Sequence, residues 1–193
     1  DDAMKVSQGS ARRGASSWYY PIDGGDFDEL VHYLETFTDG NNAGWNLNDE
    51  FRDKLLSGDK DAVMRWGKML SCKGNVGSGY QLFIDKVNRK VPQMYKDKGL
   101  KVKASNLCSE IVLYSDSDNT YTCVLASENL RKYDERPEML AFVGTVMLDC
   151  VASDFIEKAK EKGNMQRALK FTEEHRALGY GVMAFHTYLL DHS

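Results

Sequence analysis

The sequence lacks any pair of cysteines at the short spacing that structural zinc sites use. Its four cysteines are Cys72, Cys108, Cys123 and Cys150, and the nearest two, Cys108 and Cys123, are 15 positions apart. Zinc knuckles bring two ligands from positions about two to four residues apart, which excludes such a site here. A long chain with few cysteines is also unlike a secreted disulfide scaffold. We therefore predict four reduced thiols in a cytoplasmic protein, with Cys72 and Cys150 as small buried hydrophobic residues on helices.

An excess of positive charge and a long apolar run are also missing. Lysine and arginine number 25 against 29 aspartates and glutamates, for a net charge of -4, so no basic field is available for a nucleic acid backbone. No apolar run approaches the roughly 20 residues of a membrane span, and no secretion signal is recognisable. The histidines show no metal-ligand spacing. The sequence therefore predicts no nucleic acid partner, no membrane partner and no metal site.

What the sequence does contain is a mixture of short strand patterns and longer helical patterns, which indicates the α/β class. A length of 193 residues fits one folded domain. The chain begins without Met and stops inside a helical pattern, so we expect residues 1–193 to be a domain fragment truncated at both ends. The predicted strands lie at 15–22, 80–85, 103–114 and 121–126, and the predicted turns at 39–42 and 115–120. Helices are predicted at 27–34, 47–57 and 60–72, and between Pro137 and Gly163. A last helix is predicted from residue 165 onwards, across Gly179 and Gly181.

One segment of the sequence carries a set of chemically useful side chains. Asn106, Cys108 and Glu110 are spaced i, i+2, i+4. In an extended chain they would lie on one face in steps of about 6.6 Å. An amide, a thiol and a carboxylate in a row can serve as hydrogen-bond positioner, sulfur reagent and general base. A half-buried strand with a polar face would show the same spacing, so periodicity alone leaves both interpretations open.

The identities of the residues in this segment carry a more specific resemblance. Residues 105–111, Ser-Asn-Leu-Cys-Ser-Glu-Ile, closely resemble the active-site finger loop of the large subunit of ribonucleotide reductases. Four further blocks resemble other parts of that subunit in the same order. They are residues 8–15 and 79–88, similar to stretches at barrel strands, residues 121–130, similar to a strand with a redox-active cysteine, and residues 176–185, similar to an R-x-L-G-x-G-V signature. The amino acid sequences of these blocks are most similar to those of phage-encoded class I enzymes.

The resemblance implies a role for each matching residue. Cys108 would become the thiyl radical that removes the 3′ hydrogen of the ribose. Glu110 would accept the proton of the 3′-hydroxyl, and Asn106 would hydrogen-bond the sugar hydroxyls. Cys123 would be one half of the dithiol that supplies the reducing electrons, and its disulfide would be re-reduced by thiol exchange. The implied activity is reduction of ribonucleoside diphosphates to deoxyribonucleotides.

The resemblance also implies a fold and partners. The fold would be part of a ten-stranded α/β barrel that encloses the finger loop. This fragment would bind no cofactor itself, because the radical would come from a separate di-metal small subunit and the electrons from thioredoxin or glutaredoxin. The full subunit would be a homodimer in the cytoplasm, of a bacterial host if the gene is phage-encoded.

Several parts of the family's pattern have no match in the sequence, and they leave two alternatives open. Missing are the second redox cysteine, the effector site, the later phosphate loop, the radical-relay tyrosines and the C-terminal cysteine pair. One alternative is a cobalamin-dependent reductase, whose barrel presents a similar cysteine. The other is an inactive or structural piece of a split reductase.

Overall fold

The computed structural model describes residues 16–37 and 41–193. The chain divides between Tyr114 and Ser115 into two compact units. Residues 8–15, one of the five blocks that carry the family resemblance, lie outside the described residues. The mixture of helices and strands in both units confirms the prediction of an α/β protein.

The first unit is built from alternating strands and helices. A three-stranded sheet with the order β1-β2-β3 is parallel throughout, as expected when each strand is followed by a crossover helix. Its elements are β1 (Ser16–Pro21), α1 (Phe27–Thr36), β2 (Asn41–Leu47), α2 (Asp49–Leu56), α3 (Lys60–Val76), β3 (Tyr80–Phe83), α4 (Ile84–Lys90) and α5 (Gln93–Asp97).

Helices cover one face of this sheet and create the core of the first unit. Ala43, Trp45 and Leu47 alternate along β2 and are all buried, Trp45 to 1 % exposure. They belong to the same core cluster as Phe27 of α1 and Met69 of α3. Phe27, with Leu30, Val31 and Leu34, forms the buried stripe that the helical spacing predicts. The face of the sheet that carries the core is therefore the face toward the helices.

Strand β2 was not anticipated from the sequence, and it corrects the second half of the turn predicted at 39–42. Positions 39 and 40 lie outside the described residues. Asn41 and Asn42 belong to the strand, although consecutive asparagines are typical of turns. The side chains of Asn42 and Asn46 donate hydrogen bonds to the backbone carbonyls of Leu107 and Lys103. Distant contacts thus explain polar residues that local propensity assigns to a turn.

Helix α3 has clear start and stop signals. Asp59 accepts a hydrogen bond of 3.0 Å from the backbone N–H of Ala62, and Gly77 ends the helix with a φ of 72°. Cys72 is on the buried side of this helix, at 1 % exposure. The prediction of Cys72 as a buried hydrophobic residue is confirmed.

The second unit contains a pair of parallel strands, three α-helices and one 3₁₀ helix, joined by short connections. Gly163 ends its longest helix with a φ of 65°, as predicted. A turn precedes the first strand: Asp116 Oδ1 accepts hydrogen bonds of 2.8 Å from the backbone N–H groups of Asp118 and Asn119. The elements are β4 (Val124–Asn129), a 3₁₀ helix (Leu130–Glu135), α6 (Pro137–Lys162), α7 (Gln166–His175), β5 (Leu178–Met183) and α8 (Phe185–Asp191).

The structure corrects the prediction of one continuous helix from residue 165 across Gly179 and Gly181. Helix α7 ends at His175, and the two glycines lie in β5, paired with Leu125 and Ser127 of β4. A Cβ atom at Gly179 would lie 2.4 Å from Cδ2 of Leu125. The glycine therefore serves close packing within the sheet, a role that a helical reading cannot detect.

Helix α6 carries an exposed apolar stripe. Phe142 is 69 % exposed and Val146 43 %, and Cys150 of the same stripe is also exposed. The prediction of Cys150 as a buried residue is wrong, because the buried row of α6 contains Leu148 and Ala152. Val146 and Leu148 are two positions apart, which places their side chains about 200° apart around a helix.

Among the described residues, α6 is also the helix that is long and apolar enough to cross a membrane by length and composition. The prediction that no apolar run approaches such a length overlooked it. Length and composition do not distinguish a membrane span from a core helix of a soluble protein.

Candidate active site

The segment with Asn106, Cys108 and Glu110 forms a tight turn rather than the predicted extended strand. The backbone N–H of Ser109 donates a hydrogen bond of 3.2 Å to the carbonyl oxygen of Asn106. Ser109 has a φ of 63°, in the left-handed region that non-glycine residues rarely adopt. The chain reverses over these four residues, so the three side chains do not share the face of a strand. We call residues 105–111 the finger loop.

The turn nevertheless brings together two of the three predicted side chains. Nδ2 of Asn106 donates a hydrogen bond of 2.7 Å to Oε1 of Glu110. Oδ1 of the same amide accepts a hydrogen bond of 3.1 Å from the backbone N–H of Ile111. Because both ends of the amide are engaged, its orientation is fixed and it holds the carboxylate. Cys108 lies between the two, exposed on the turn.

Hydrogen bonds at the base of the finger loop close it. Ser105 is 4 % exposed, and its hydroxyl donates a hydrogen bond of 2.6 Å to the carbonyl oxygen of Ile111. Two side chains of strand β2 also donate hydrogen bonds to this part of the chain. Asn46 Nδ2 donates to the carbonyl of Lys103 at 2.9 Å, and Asn42 Nδ2 donates to that of Leu107 at a longer 3.4 Å. The finger loop therefore lies against the face of the sheet that is opposite the helices.

Tyr19 of β1 makes a further pair of contacts with the finger loop. Its hydroxyl lies 2.9 Å from the carbonyl oxygen of Asn106 and 2.5 Å from Oγ of Ser109. The sequence did not predict four residues at this site: Tyr19, Asn42, Asn46 and Ser105. One local signal was available in β2, where the apolar Ala43, Trp45 and Leu47 alternate with Asn42, Gly44 and Asn46, a pattern typical of a strand with one buried face.

Cys123 lies in the second unit, one residue before β4, and is half-buried. The strand predicted at 121–126 is present but begins later, at Val124. A Cβ atom at Gly179 would come within 3.4 Å of Sγ of Cys123. The absence of a side chain at Gly179 therefore leaves space beside this sulfur.

The remaining two cysteines differ in their environments. Burial raises the pKa of the Cys72 thiol, and the nearby carboxylate of Glu35 raises it further. Buried thiols with a raised pKa are poor nucleophiles. Cys150 is exposed on α6. Within residues 16–37 and 41–193 no group of three or more His, Cys, Asp or Glu side chains is arranged to hold a metal ion.

Comparison with known proteins identifies the family of this chain. The family "Ribonucleotide reductase, barrel domain" matches residues 57–193, which is more than half of the chain and runs through both units. The chain belongs to this ribonucleotide reductase family. The family predicted from the sequence is thereby confirmed, whereas the roles of the finger-loop residues stay predictions.

Named relatives of the reductase barrel support this assignment. The ribonucleoside-diphosphate reductase large subunit of Invertebrate iridescent virus 3 is 35% identical over 75% of this chain and 23% of its own length. A Frog virus 3 protein assigned to the same subunit is 32% identical over 99% of this chain and 38% of its own length. The class Id ribonucleotide reductase alpha subunit of Actinobacillus ureae is similar in structure, with a TM-score of 0.81 and 37% identity over 91% of this chain and 34% of that one. The chain spans about a quarter to two fifths of these relatives.

The reductase signature at residues 176–185 has a visible structural role. Arg176 donates hydrogen bonds to Oδ1 of Asp149 at 2.6 Å and to Oγ of Ser153 at 2.9 Å, both on α6. Leu178 and the residues after it form β5. The arginine thus ties the start of the strand to the helix, and the two glycines allow close approach to β4.

Proposed function

We propose that this chain is part of the catalytic subunit of a ribonucleoside-diphosphate reductase and that its finger loop performs thiyl-radical chemistry. The observation that carries the proposal is the hydrogen bond between Asn106 and Glu110 on either side of the exposed Cys108. Family membership, and relatives named for this activity, support the same reading. The structural neighbour titled class Id favours a class I enzyme over a cobalamin-dependent one.

The proposed reaction uses each finger-loop side chain once. The Cys108 thiyl radical takes the 3′ hydrogen atom of the ribose and returns a hydrogen atom at the end. Glu110 has two carboxylate oxygens, one of which is held by Asn106. The carboxylate accepts the 3′-hydroxyl proton and returns it to the 3′ oxygen before the cycle ends. Asn106 hydrogen-bonds the sugar hydroxyls. The 2′-hydroxyl leaves as water, while Cys123 and a second cysteine of the full subunit give up two electrons and two protons and become a disulfide.

The proposed partners follow from this chemistry. Residues 1–193 are proposed as part of one catalytic barrel domain. The radical is proposed to come from a separate small subunit with a di-metal centre, and re-reduction of Cys123 from thioredoxin or glutaredoxin. We further propose a homodimer of the full subunit, located in the cytoplasm.

Replacing Cys108 in the full-length reductase tests the proposal. Cys108→Ala removes the sulfur atom proposed to carry the thiyl radical, so deoxynucleotide formation should be abolished while nucleotide binding stays near that of the parent enzyme. Cys150→Ser is the matched control, because Cys150 is also an exposed cysteine but lies on α6. Product formation near the parent rate in the Cys108→Ala enzyme would refute the assignment.

A further inference from the structure

We propose that Tyr19 is a positioning residue of the active site, whose hydroxyl fixes the turn that presents Cys108. This inference rests on the proposed function of the finger loop, and it concerns a residue outside that loop. Tyr19 lies on β1, 87 positions before Asn106 and 90 before Ser109. All of these residues belong to the first compact unit.

The directions of the two hydrogen bonds follow from the chemistry of the hydroxyl group. A phenol has one hydrogen, and the carbonyl of Asn106 can only accept, so Tyr19 donates to that carbonyl at 2.9 Å. The hydroxyl of Ser109 therefore donates to the Tyr19 oxygen, across 2.5 Å. Asn106 and Ser109 are the first and last residues of the turn. A single side chain thus clamps both ends of the reversal that contains Cys108.

The backbone of the turn is in an unfavourable conformation at Ser109, and the hydrogen bonds of Tyr19 stabilise it. Ser109 adopts a φ of 63°, which is unfavourable for a residue with a Cβ atom. Such conformations persist where surrounding contacts enforce them, and they are frequent at functional sites. The hydrogen bond from the Ser109 hydroxyl to Tyr19 is a contact of this kind. Without it, the turn can relax and move Cys108 relative to Glu110.

Gly44 on the neighbouring strand makes room for the Tyr19 ring. Tyr19 and Gly44 are register partners in the pairing of β1 with β2. A Cβ atom at Gly44 would lie 2.2 Å from Cε1 and 2.8 Å from Cζ of Tyr19, closer than side chains can approach. The ring therefore lies over the glycine. The space above Gly44, which we call the Gly44 slot, places the Tyr19 hydroxyl next to the finger loop.

The expected consequence of losing the hydroxyl is a slower chemical step. Hydrogen-atom transfer needs the sulfur close to the 3′ carbon, and a misplacement of about 1 Å can cost on the order of 10²-fold in rate. Tyr19 does not touch the ribose in this proposal, so substrate affinity should change little. Loss of the clamp should therefore lower kcat while leaving KM nearly constant.

The test is Tyr19→Phe in the full-length reductase, with Tyr20→Phe as the matched control. Phenylalanine keeps the ring in the Gly44 slot and removes only the hydroxyl. Tyr20 is the adjacent residue of β1, whose side chain takes the other face and lines a small cavity with Gly24 and Phe27. We expect kcat to fall about tenfold or more in Tyr19→Phe, with KM within about twofold, and no change in Tyr20→Phe.

Amide hydrogen exchange separates a positioning role from a general loss of stability. In Tyr19→Phe, exchange should speed up at the backbone N–H groups of Ser109 and Ile111 and stay unchanged in the middle of β2. Faster exchange throughout β2, with kcat unchanged, would show a merely structural role and overturn the inference. Unchanged exchange in the finger loop would overturn it as well.

A double-mutant cycle gives a second, independent measurement. Ser109→Ala removes the partner hydroxyl, so its effect on kcat and that of Tyr19→Phe should be less than additive. Full additivity would contradict the clamp. If Cys108→Ala retains activity, the proposed function fails, whereas the exchange experiment still tests the clamp. If Cys108→Ala is inactive and Tyr19→Phe behaves like the parent enzyme, only the clamp fails.

Discussion

The side-chain amide of Asn106 donates a hydrogen bond of 2.7 Å to the carboxylate of Glu110, across the turn that carries Cys108. The same amide accepts from the backbone N–H of Ile111 at 3.1 Å. The orientation of the carboxylate is therefore linked to the backbone of the finger loop itself. Because one short turn carries both the carboxylate and the thiol, their positions relative to each other are kept when the loop moves as a rigid unit.

Glu110→Gln should preserve the finger loop and remove its base. The amide oxygen of glutamine can still accept the hydrogen bond from Asn106, but it cannot take a proton at neutral pH. General base catalysis contributes about 10²–10⁴-fold, so kcat of the full-length reductase should fall by that order. The control is Glu138→Gln, an exposed glutamate in the first turn of α6. A loss below about tenfold would count against Glu110 as the proton acceptor.

A single turnover without external reductant should oxidise Cys123 and spare Cys72 and Cys150. Cys123 should form a disulfide with another cysteine of the full subunit, whereas Cys108 should end as a thiol because its radical is returned. Alkylation with isotopically coded reagents before and after the turnover, read by peptide mass spectrometry, measures all four. Product formation with Cys123 still fully alkylatable would show that another thiol supplies the electrons.

Gly179→Ala should slow the reaction of Cys123 with iodoacetamide. The added methyl group would lie 3.4 Å from Sγ and would also push against Leu125. Gly181→Ala is the matched control, since its methyl group would meet Oγ of Ser127 at 3.0 Å instead. A Gly179→Ala/Leu125→Ala double variant relieves the second contact and keeps the test valid if the single variant folds poorly. Equal rates in the two glycine variants would contradict a specific role for Gly179.

Cys72→Ala should reduce the stability of the chain more at neutral pH than at alkaline pH. Burial, followed by the charge of Glu35, raises the pKa of the folded thiol above its ordinary value. Above a pH of about 8.5 the unfolded thiol loses its proton while the folded thiol keeps it, so the parent chain loses stability as pH rises. The alanine variant lacks this titration. Its deficit, about 1 kcal/mol at pH 7, should shrink toward pH 10.

Urea denaturation of both chains at the two pH values measures this difference. The comparison of variant with parent removes the contribution of the lysines and tyrosines, which titrate alike in both. Parallel losses of stability in the two chains would mean that Cys72 does not ionise differently in the folded and unfolded states.

The secondary structure predicted from the sequence was correct where the local residue pattern and the tertiary packing favour the same structure. The stripe from Phe27 to Leu34 repeats at helical spacing, and the structure buries the same residues. Gly163 stops α6 as its conformational freedom predicts. The family was predicted from residue identities, those of residues 105–111 among them, and the family match confirms it.

Prediction failed where a distant partner decides the local conformation. Asn42 lies in a strand because its side chain reaches Leu107, 65 positions away. The turn at Ser109 depends on Tyr19, which no window of neighbouring residues includes. Gly179 and Gly181 fit a helix poorly and a close strand pair well, but the pairing with β4 spans more than 50 positions of sequence. Alternation at Asn106, Cys108 and Glu110 is equally compatible with a strand and with a turn.

The boundary between the two compact units separates the proposed radical thiol from the proposed reducing thiol. Cys108 precedes the boundary at Tyr114, and Cys123 follows it. The turn just after the boundary, with Ser117 and Asp118 exposed, offers a place where a polypeptide tolerates interruption. A gene divided there would yield two polypeptides, each carrying one of the two proposed redox thiols. If the full-length protein has the proposed activity, restored turnover on mixing the two would report fragment complementation.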